Sequence, residues 1–129
     1  MTGRSVGRPS TRPSSAEIVF KARAAQAFVE LVGPRPGEGA VQGFAFGRTR
    51  GVIEGVLAAA GVPVRFLTPP TWKRAVGVPP GKDGTKDAAR SEAIRRFPDK
   101  AALFARVKDD GRAEAALIAV AGLKREAGQ

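Results

Sequence analysis

A short apolar run that contains a single acid constrains the fold of this 129-residue chain more than any other stretch. Residues 27–32 read Ala-Phe-Val-Glu-Leu-Val, and the breaker run Gly-Pro-Arg-Pro-Gly follows at 33–37. Five apolar residues in six predict a strand that is buried on both faces, as in the middle of a parallel sheet. Glu30 is the exception, because a buried carboxylate loses hydration worth several kcal/mol. We therefore expect Glu30 to lie at the open end of the strand, or to meet a cation, another acid's proton or a metal.

The composition limits both the size of the fold and the chemistry it can perform. A chain of this length with 43% hydrophobic residues can build one modest core, which predicts a single domain. No apolar run approaches the roughly 18 residues that span a bilayer, and the N-terminus lacks the apolar segment of a signal peptide, so we expect a cytoplasmic protein without a membrane partner. The chain has no cysteine and no histidine. Any catalysis must therefore use carboxylates, lysines or hydroxyls.

The net charge indicates a polyanionic partner. There are 22 Lys and Arg against 12 Asp and Glu, which gives +10 and an isoelectric point near 11.3. Nucleic acid is the first candidate for so basic a chain, although a GC-rich coding sequence also enriches Arg, Ala and Gly without any binding function. We interpret residues 1–14, which carry three arginines and no acid, as a flexible basic arm, and residues 15–126 as the domain.

The spacing of apolar residues predicts a strand, helix, strand unit. A short helix capped by Ser15 leads into the strand, and a glycine-rich loop at 33–43 follows. A helix is predicted at 47–60 and ends at Gly61, and a second strand at 62–68 then lies parallel to the first. Three further helices are predicted at 70–75, 85–97 and 109–124, with a short connection at 100–107.

The last of these helices carries the second chemical signal. Positions 110, 114, 117, 118 and 121 lie on one stripe, so that Asp110 and Glu114 lead the apolar face instead of the solvent face. Acids in a first helical turn also complement the helix dipole, and we accept that explanation for Asp109. If Asp110 and Glu114 pack toward the sheet, they can meet Glu30 at the carboxyl edge of the parallel strands. Carboxylate oxygens suit Mg²⁺ or Mn²⁺, and in a basic protein the chemistry that follows is metal-assisted phosphodiester hydrolysis with two cations.

Three segments together resemble RuvC-type Holliday junction resolvases of phages and bacteria. They are Phe-Ala-Phe-Gly-Arg at 44–48 with Gly-Val-Ile at 51–53, Thr-Pro-Pro-Thr-Trp-Lys at 68–73, and Lys-Asp-Asp-Gly-Arg-Ala-Glu-Ala at 108–115. They occur in the family's order, and the similarity covers about residues 26–123. The resemblance implies a ribonuclease H-like α/β fold, a homodimer, and magnesium-dependent symmetrical nicking of four-way DNA junctions in recombination or repair.

The resemblance also assigns roles to individual residues. Glu30 matches the family's strand carboxylate, and Asp110 with Glu114 matches the acidic pair on its C-terminal helix, so these three are the expected catalytic and metal-binding residues. Phosphate contacts that position the junction are expected from basic residues, and stacking on unpaired bases from two phenylalanines, for which packing against the sheet or a dimer partner is the alternative. The expected DNA-binding residues are Lys73, Arg74, Lys82, Lys86, Arg90, Arg48, Arg50, Phe44 and Phe46.

The chain departs from the family pattern at its N-terminus. The family opens with a three-stranded meander whose first strand carries an Asp as the first metal ligand, whereas Glu17 is the only acid ahead of Glu30 here. We therefore expect an N-terminally truncated relative that lacks this meander. Three hypotheses remain open: a junction endonuclease, a catalytically impaired DNA-binding protein associated with the nucleoid, and a general RNA-binding protein, which would explain the charge but not the three acids.

Overall fold

The computed structural model describes residues 12–33, 36–81 and 85–128. Within these ranges the chain is a mixed α/β protein, and two 3₁₀ segments, Pro98–Phe104 and Val107–Asp109, join its last two helices. No helix in the described ranges is long and apolar enough to cross a membrane. The helices and strands are, in chain order, α1 Ser15–Ala22, β1 Ala27–Glu30, α2 Ala40–Ala59, β2 Val64–Leu67, α3 Pro69–Val76, α4 Thr85–Arg96 and α5 Asp110–Ala127.

The predicted parallel strand pair is confirmed, but its burial differs from the prediction. β1 pairs with β2 in parallel register, so that Ala27 faces Val64 and Glu30 faces Leu67. All four residues of β1 are half-buried instead of fully buried. The reason is that the sheet has two strands in the described part of the chain, and the edge of β1 opposite β2 carries no neighbouring strand there.

Helix α2 begins earlier than the sequence predicts. It runs from residue 40, seven residues ahead of the predicted start, and the glycine-rich loop therefore ends before residue 40. Glycines indicated a loop, yet Gly43, Gly47, Gly51 and Gly55 recur every fourth residue and form one line along the helix. A Cβ atom on any of these four would meet no atom within 4 Å, so the line faces open space.

The ends of the other helices follow from local chemistry. Ser14, not Ser15, caps α1: its hydroxyl accepts from the Glu17 N–H at 3.2 Å, and its own N–H donates to the Glu17 carboxylate at 2.9 Å. Helix α1 then ends at Arg23 in a left-handed conformation, short of the predicted end at residue 25. Gly61 has a φ of +71°, as expected for the residue that ends the preceding helix.

The core lies between α5 and the two helices before it. Trp72 and Leu117 are its largest fully buried side chains, and Leu67 of β2 joins it. Four alanines with no exposed surface, at 89, 93, 113 and 121, allow α4 and α5 to approach closely. Gly122 extends this close packing to the sheet, because a Cβ there would overlap the ring of Phe28 on β1. Helix α5 therefore packs directly against one face of β1.

Three basic side chains link the last helices to other parts of the described chain by donating hydrogen bonds to backbone carbonyls. Arg90 Nη1 donates to Ala105 O at 2.9 Å, Arg112 Nη1 donates to Leu103 O at 3.1 Å, and Lys124 Nζ donates to Ala75 O at 3.0 Å. We call Arg90, Arg112 and Lys124 the cross-linking cations. Part of the basic composition therefore has a structural role.

Candidate acidic site and its basic surroundings

Glu30 ends β1 at the carboxyl edge of the parallel pair. Its position in the register opposite Leu67 places it where the chain leaves both strands. Glu30 is one of the residues around a small cavity of about 160 Å³ that is also lined by Phe46 and Arg50 of α2 and by Phe66 of β2. The prediction that Glu30 lies at the open end of its strand is confirmed.

Helix α5 presents Asp110 and Glu114 beside Glu30. The predicted stripe is confirmed, because Leu117, Ile118 and Ala121 are buried and the two acids that precede them are half-buried. Burial raises the pKa of Glu114, and the charges of Glu30 and Asp110 raise it further. The structure therefore brings the three predicted acids close enough to repel one another.

Two lysines oppose this repulsion. The charges of Lys73 on α3 and Lys86 on α4 both lower the pKa of Glu114, against the effect of the acids. Lys86 Nζ lies 3.6 Å from Asp110 Oδ2, and its side chain is 70% exposed. Lys73 Nζ donates to Gly81 O at 3.4 Å and lies 5.8 Å from the centroid of the Trp72 ring. Both cations therefore act on the acids, and the Lys86 side chain remains largely exposed to solvent.

Asp109 has a different role from its neighbour Asp110. It is buried, and its carboxylate accepts from the backbone N–H, the Nε and the Nη2 of Arg106 at 3.0, 3.1 and 3.0 Å. The hydrogen bonds from the Arg106 side chain, and then from its backbone, hold the pKa of Asp109 below its usual value. This clamp sets the direction in which α5 starts, and so the direction in which Asp110 and Glu114 point. Arg106 was not predicted from the sequence. Its signal is that it lies three residues before Asp109, an acid at the start of a helix.

The predicted DNA-binding residues fall into two groups. Lys73, Lys86 and the exposed Arg74 lie on α3 and α4, next to the acids. Arg90 belongs to the same helix as Lys86, but its guanidinium is largely buried and bonds to Ala105 O and Asp87. Lys82 lies outside the described residues.

The second group lies on α2. Phe44 is 76% exposed and Phe46 is 40% exposed. Arg50 donates to Glu54 at 2.7 Å, and its guanidinium lies 4.5 Å from the centroid of the Phe66 ring. Phe44 and the exposed Arg48 line a separate groove of about 620 Å³. Phe46 and Arg50 therefore line the small cavity together with Glu30, whereas Phe44 and Arg48 line the separate groove.

The three carboxylates are the kind of ligand that a hard divalent cation prefers, but their side chains do not converge on a common position. Three carboxylates with no sulfur or nitrogen ligand form the donor set that Mg²⁺ and Mn²⁺ prefer. Within the described ranges, however, no group of three or more acidic, histidine or cysteine side chains is close enough to hold a metal ion. A metal would have to draw these carboxylates inward, against the burial and the acidic charges that raise the pKa of Glu114.

A scan against protein-family models finds no match for the chain, and a search of curated proteins finds no significant match.

Proposed function

We propose that the chain is a structure-selective DNA endonuclease that resolves four-way junctions by metal-assisted phosphodiester hydrolysis. The observation that supports this most directly is that the charges of Glu30, at the end of β1, and of Asp110 act on Glu114. The charges of Lys73 and Lys86 oppose them, and Lys86 pairs with Asp110. A cluster of acids attracts divalent cations, and flanking lysines attract phosphate, so the two together suit a metal-dependent reaction on a polyanion. The ribonuclease H-like fold remains part of this proposal.

Each residue of the site has a distinct task in the proposed reaction. Glu30, Asp110 and Glu114 would hold Mg²⁺ or Mn²⁺, which when bound supplies an activated water and stabilises the leaving oxygen. Lys73 and Lys86 offset the repulsion between the carboxylates and an approaching phosphate. The Arg106–Asp109 hydrogen bonds would hold the start of α5, and so the backbone that carries Asp110 and Glu114, in place.

We also propose that the protein acts as a homodimer through α2. This helix has 20 residues, of which only Leu57 is buried, and it exposes large apolar side chains that include Val41, Phe44 and Val52. The line of glycines offers a flat surface on which a second helix can approach closely by ridge-into-groove packing. Arg50 pairs with Glu54 on the same helix, so Arg48 is the cation that a second copy would meet beside Phe44 and Val52.

A second candidate function is a catalytically impaired DNA-binding protein of the nucleoid. It is favoured by the absence, among the described residues, of any three acids in ligating geometry. The two functions share the basic surroundings and differ in whether the acids do chemistry. Binding and cleavage must therefore be measured separately.

The binding test compares a four-way junction with a linear duplex of the same length. We expect the purified chain to bind the junction more tightly, with affinity falling steeply as salt rises. Lys86→Ala should weaken binding to all DNA sequences alike, and Lys100→Ala is the matched control, because Lys100 is not among the charges that act on Glu114. Equal affinity for the two substrates would eliminate the junction proposal.

The cleavage test uses the same junction with Mg²⁺ or Mn²⁺. We expect nicking that a chelator stops and that Glu30→Gln abolishes while junction binding is kept. If the chain binds the junction but does not nick it with either metal, it is a DNA-binding protein and the endonuclease proposal is wrong. Nicking that continues in a chelator would contradict the metal-assisted mechanism itself.

The dimer is tested by light scattering on a sizing column. We expect the wild-type chain to elute with the mass of two copies and Phe44→Glu to elute with the mass of one, because a charge would be buried in the apolar contact. Leu103→Glu is the matched control, since Leu103 is also an exposed apolar residue but lies in the 3₁₀ segment outside α2. A monomeric wild-type chain, or an equal effect of the two substitutions, would refute the α2 interface.

A further inference from the structure

A second cavity lies on the far side of the sheet from α2, between β2, the start of α3 and the last turns of α5. It has a volume of about 260 Å³. The Phe28 ring supplies an aromatic wall, because it points to the face that α5 covers, and the polar residues at the rim are Arg65, Thr68, Thr71, Arg125 and Glu126. None of these polar residues contributes to the acidic site described above, so the cavity is a separate feature of the surface.

The two arginines of this cavity have unused hydrogen-bond donors. Arg65 Nε lies 3.6 Å from Glu126 Oε1, beyond hydrogen-bond distance, and the Arg65 side chain is 72% exposed. Arg125 has no hydrogen-bond or ion-pair partner among the described residues. The cross-linking cations, by contrast, all donate to backbone carbonyls. Arg65 and Arg125 are therefore free to bind an anion at the cavity.

The start of α3 adds two neutral donors to the same rim. The hydroxyls of Thr68 and Thr71 lie 2.8 Å apart, and since one O–H serves that contact, the other remains available. Residues 69 and 70 are prolines and have no N–H. The first hydrogen bond of the helix is donated by Trp72 N to Thr68 O at 3.1 Å. The Thr71 N–H therefore has no acceptor within its helix.

This combination of groups suits a phosphodiester better than a simple anion. Guanidinium, hydroxyl and amide donors match phosphate oxygens, and guanidinium groups do so in a fork geometry. The wall formed by Phe28 offers apolar contact that a sugar can use and a bare phosphate cannot. Glu126 opposes an anion, because it competes for Arg65.

The position of the cavity relates it to the acids. Eleven residues of α5 separate Glu114 from Arg125, which at 1.5 Å per residue is about 16 Å along the helix. DNA rises 3.4 Å per nucleotide along one strand, so this distance corresponds to about five steps. One strand can therefore reach both places.

We propose that the cavity between β2, α3 and α5 binds a backbone phosphodiester of the DNA substrate, held by Arg65 and Arg125 some five nucleotides from the acidic site. The identity of the ligand as DNA rests on the proposed function, whereas the phosphodiester chemistry rests on the cavity alone. Release of Arg65 from Glu126 accompanies binding, so that Glu126 limits the affinity of the site.

The experiment measures junction affinity across a salt series for four variants of the full chain. Arg65→Ala and Arg125→Ala should each weaken binding about tenfold and reduce the slope of log K against log salt by about 0.9, the value for one phosphate contact. Glu126→Gln should tighten binding, because it removes the competitor of the phosphate. Arg95→Ala is the matched control, since it removes the same charge from α4, where Arg95 pairs with Glu92. Affinity and slope that are the same in all four variants would overturn the proposal.

A second measurement separates this site from the proposed function. Dimethyl phosphate, a minimal phosphodiester, is titrated into labelled protein, and the Nε–Hε signals of the arginines are followed by NMR. We expect the signals of Arg65 and Arg125 to shift and that of Arg95 to stay. If they shift while the chain binds no junction, the cavity is a phosphodiester site and the junction proposal is wrong. If the junction binds and no arginine of the cavity responds, the junction proposal stands and the cavity site is refuted.

Discussion

The contact between Gly122 and Phe28 gives the sharpest test of how α5 holds the strand that carries Glu30. Gly122 is buried in α5, and a Cβ atom there would overlap the Cγ, Cδ1 and Cε1 atoms of the Phe28 ring. Because Cγ is the root of the ring, a flip of the ring about χ2 does not clear the overlap. Gly122→Ala therefore requires the helix and the strand to move apart, or Phe28 to leave its χ1 rotamer.

The size of the effect follows from two opposing terms. Overpacking in a well-packed region costs about 1–3 kcal/mol, and an overlap with three ring atoms belongs at the upper end. Alanine in place of glycine within a helix returns up to about 1 kcal/mol. We expect a net loss of about 2 kcal/mol in the free energy of unfolding. For a domain of this length that corresponds to a fall in Tm of about 6–10 °C.

The assay is urea unfolding of the full chain, followed by circular dichroism. Gly111→Ala is the matched control, because it makes the same change in the same helix at a position where a Cβ would meet nothing within 4 Å. The control should be neutral or more stable by up to about 1 kcal/mol. In a Phe28→Ala background, Gly122→Ala should lose its penalty, which gives a coupling energy of about 2–3 kcal/mol in a double-mutant cycle. A Gly122→Ala chain as stable as wild type would refute the close contact between α5 and β1.

Three further predictions concern charged groups. Because the pKa of Glu114 is raised in the folded chain, its protonated form contributes stability below pH 4.5, and that stability is lost as pH rises through the raised pKa. Glu114→Gln should therefore have a higher Tm than wild type at pH 8 and the same Tm at pH 4. The pKa of Asp109 is lowered, so its pH dependence is the reverse: the ionised carboxylate contributes stability above pH 3.8, and that stability is lost as pH falls through the lowered pKa. Arg106→Ala should therefore lower Tm at pH 7 and lower it less at pH 3. Lys86→Ala should raise the pKa of Glu114 further, measured by carboxyl NMR titration, because the charge of Lys86 lowers it in the wild-type chain. An unchanged or lower Glu114 pKa in that variant would contradict the placement of Lys86 beside the acids.

The acids of the site were predictable because each breaks a local pattern. Glu30 interrupts an apolar strand, and Asp110 with Glu114 interrupts the apolar stripe of α5. Such breaks are visible within a few residues of sequence, and the parallel pairing of the strands follows from the helix between them. This local information was enough to predict Glu30 at the end of β1 and two half-buried acids on the core-facing side of α5.

The features that the sequence did not predict depend on contacts between distant residues. Lys124 donates to the carbonyl of Ala75, 49 residues away, and nothing near either residue signals that bond. The early start of α2 was missed for a different reason. Glycine has a low helix propensity, and the pattern of one glycine in every four residues was interpreted as a loop although it marks a single helical face.

The cross-linking cations change what an ion-release experiment reports about this protein. A salt titration counts the phosphates that the protein's cations neutralise, because each of these phosphates releases counterions that were condensed on the DNA. Arg90, Arg112 and Lys124 are already occupied by carbonyl oxygens, so they contribute to the isoelectric point near 11.3 without adding to that count. The number of phosphates inferred from the slope will therefore fall below what the formal charge suggests, and the difference measures how much of the chain's basicity is devoted to its own architecture.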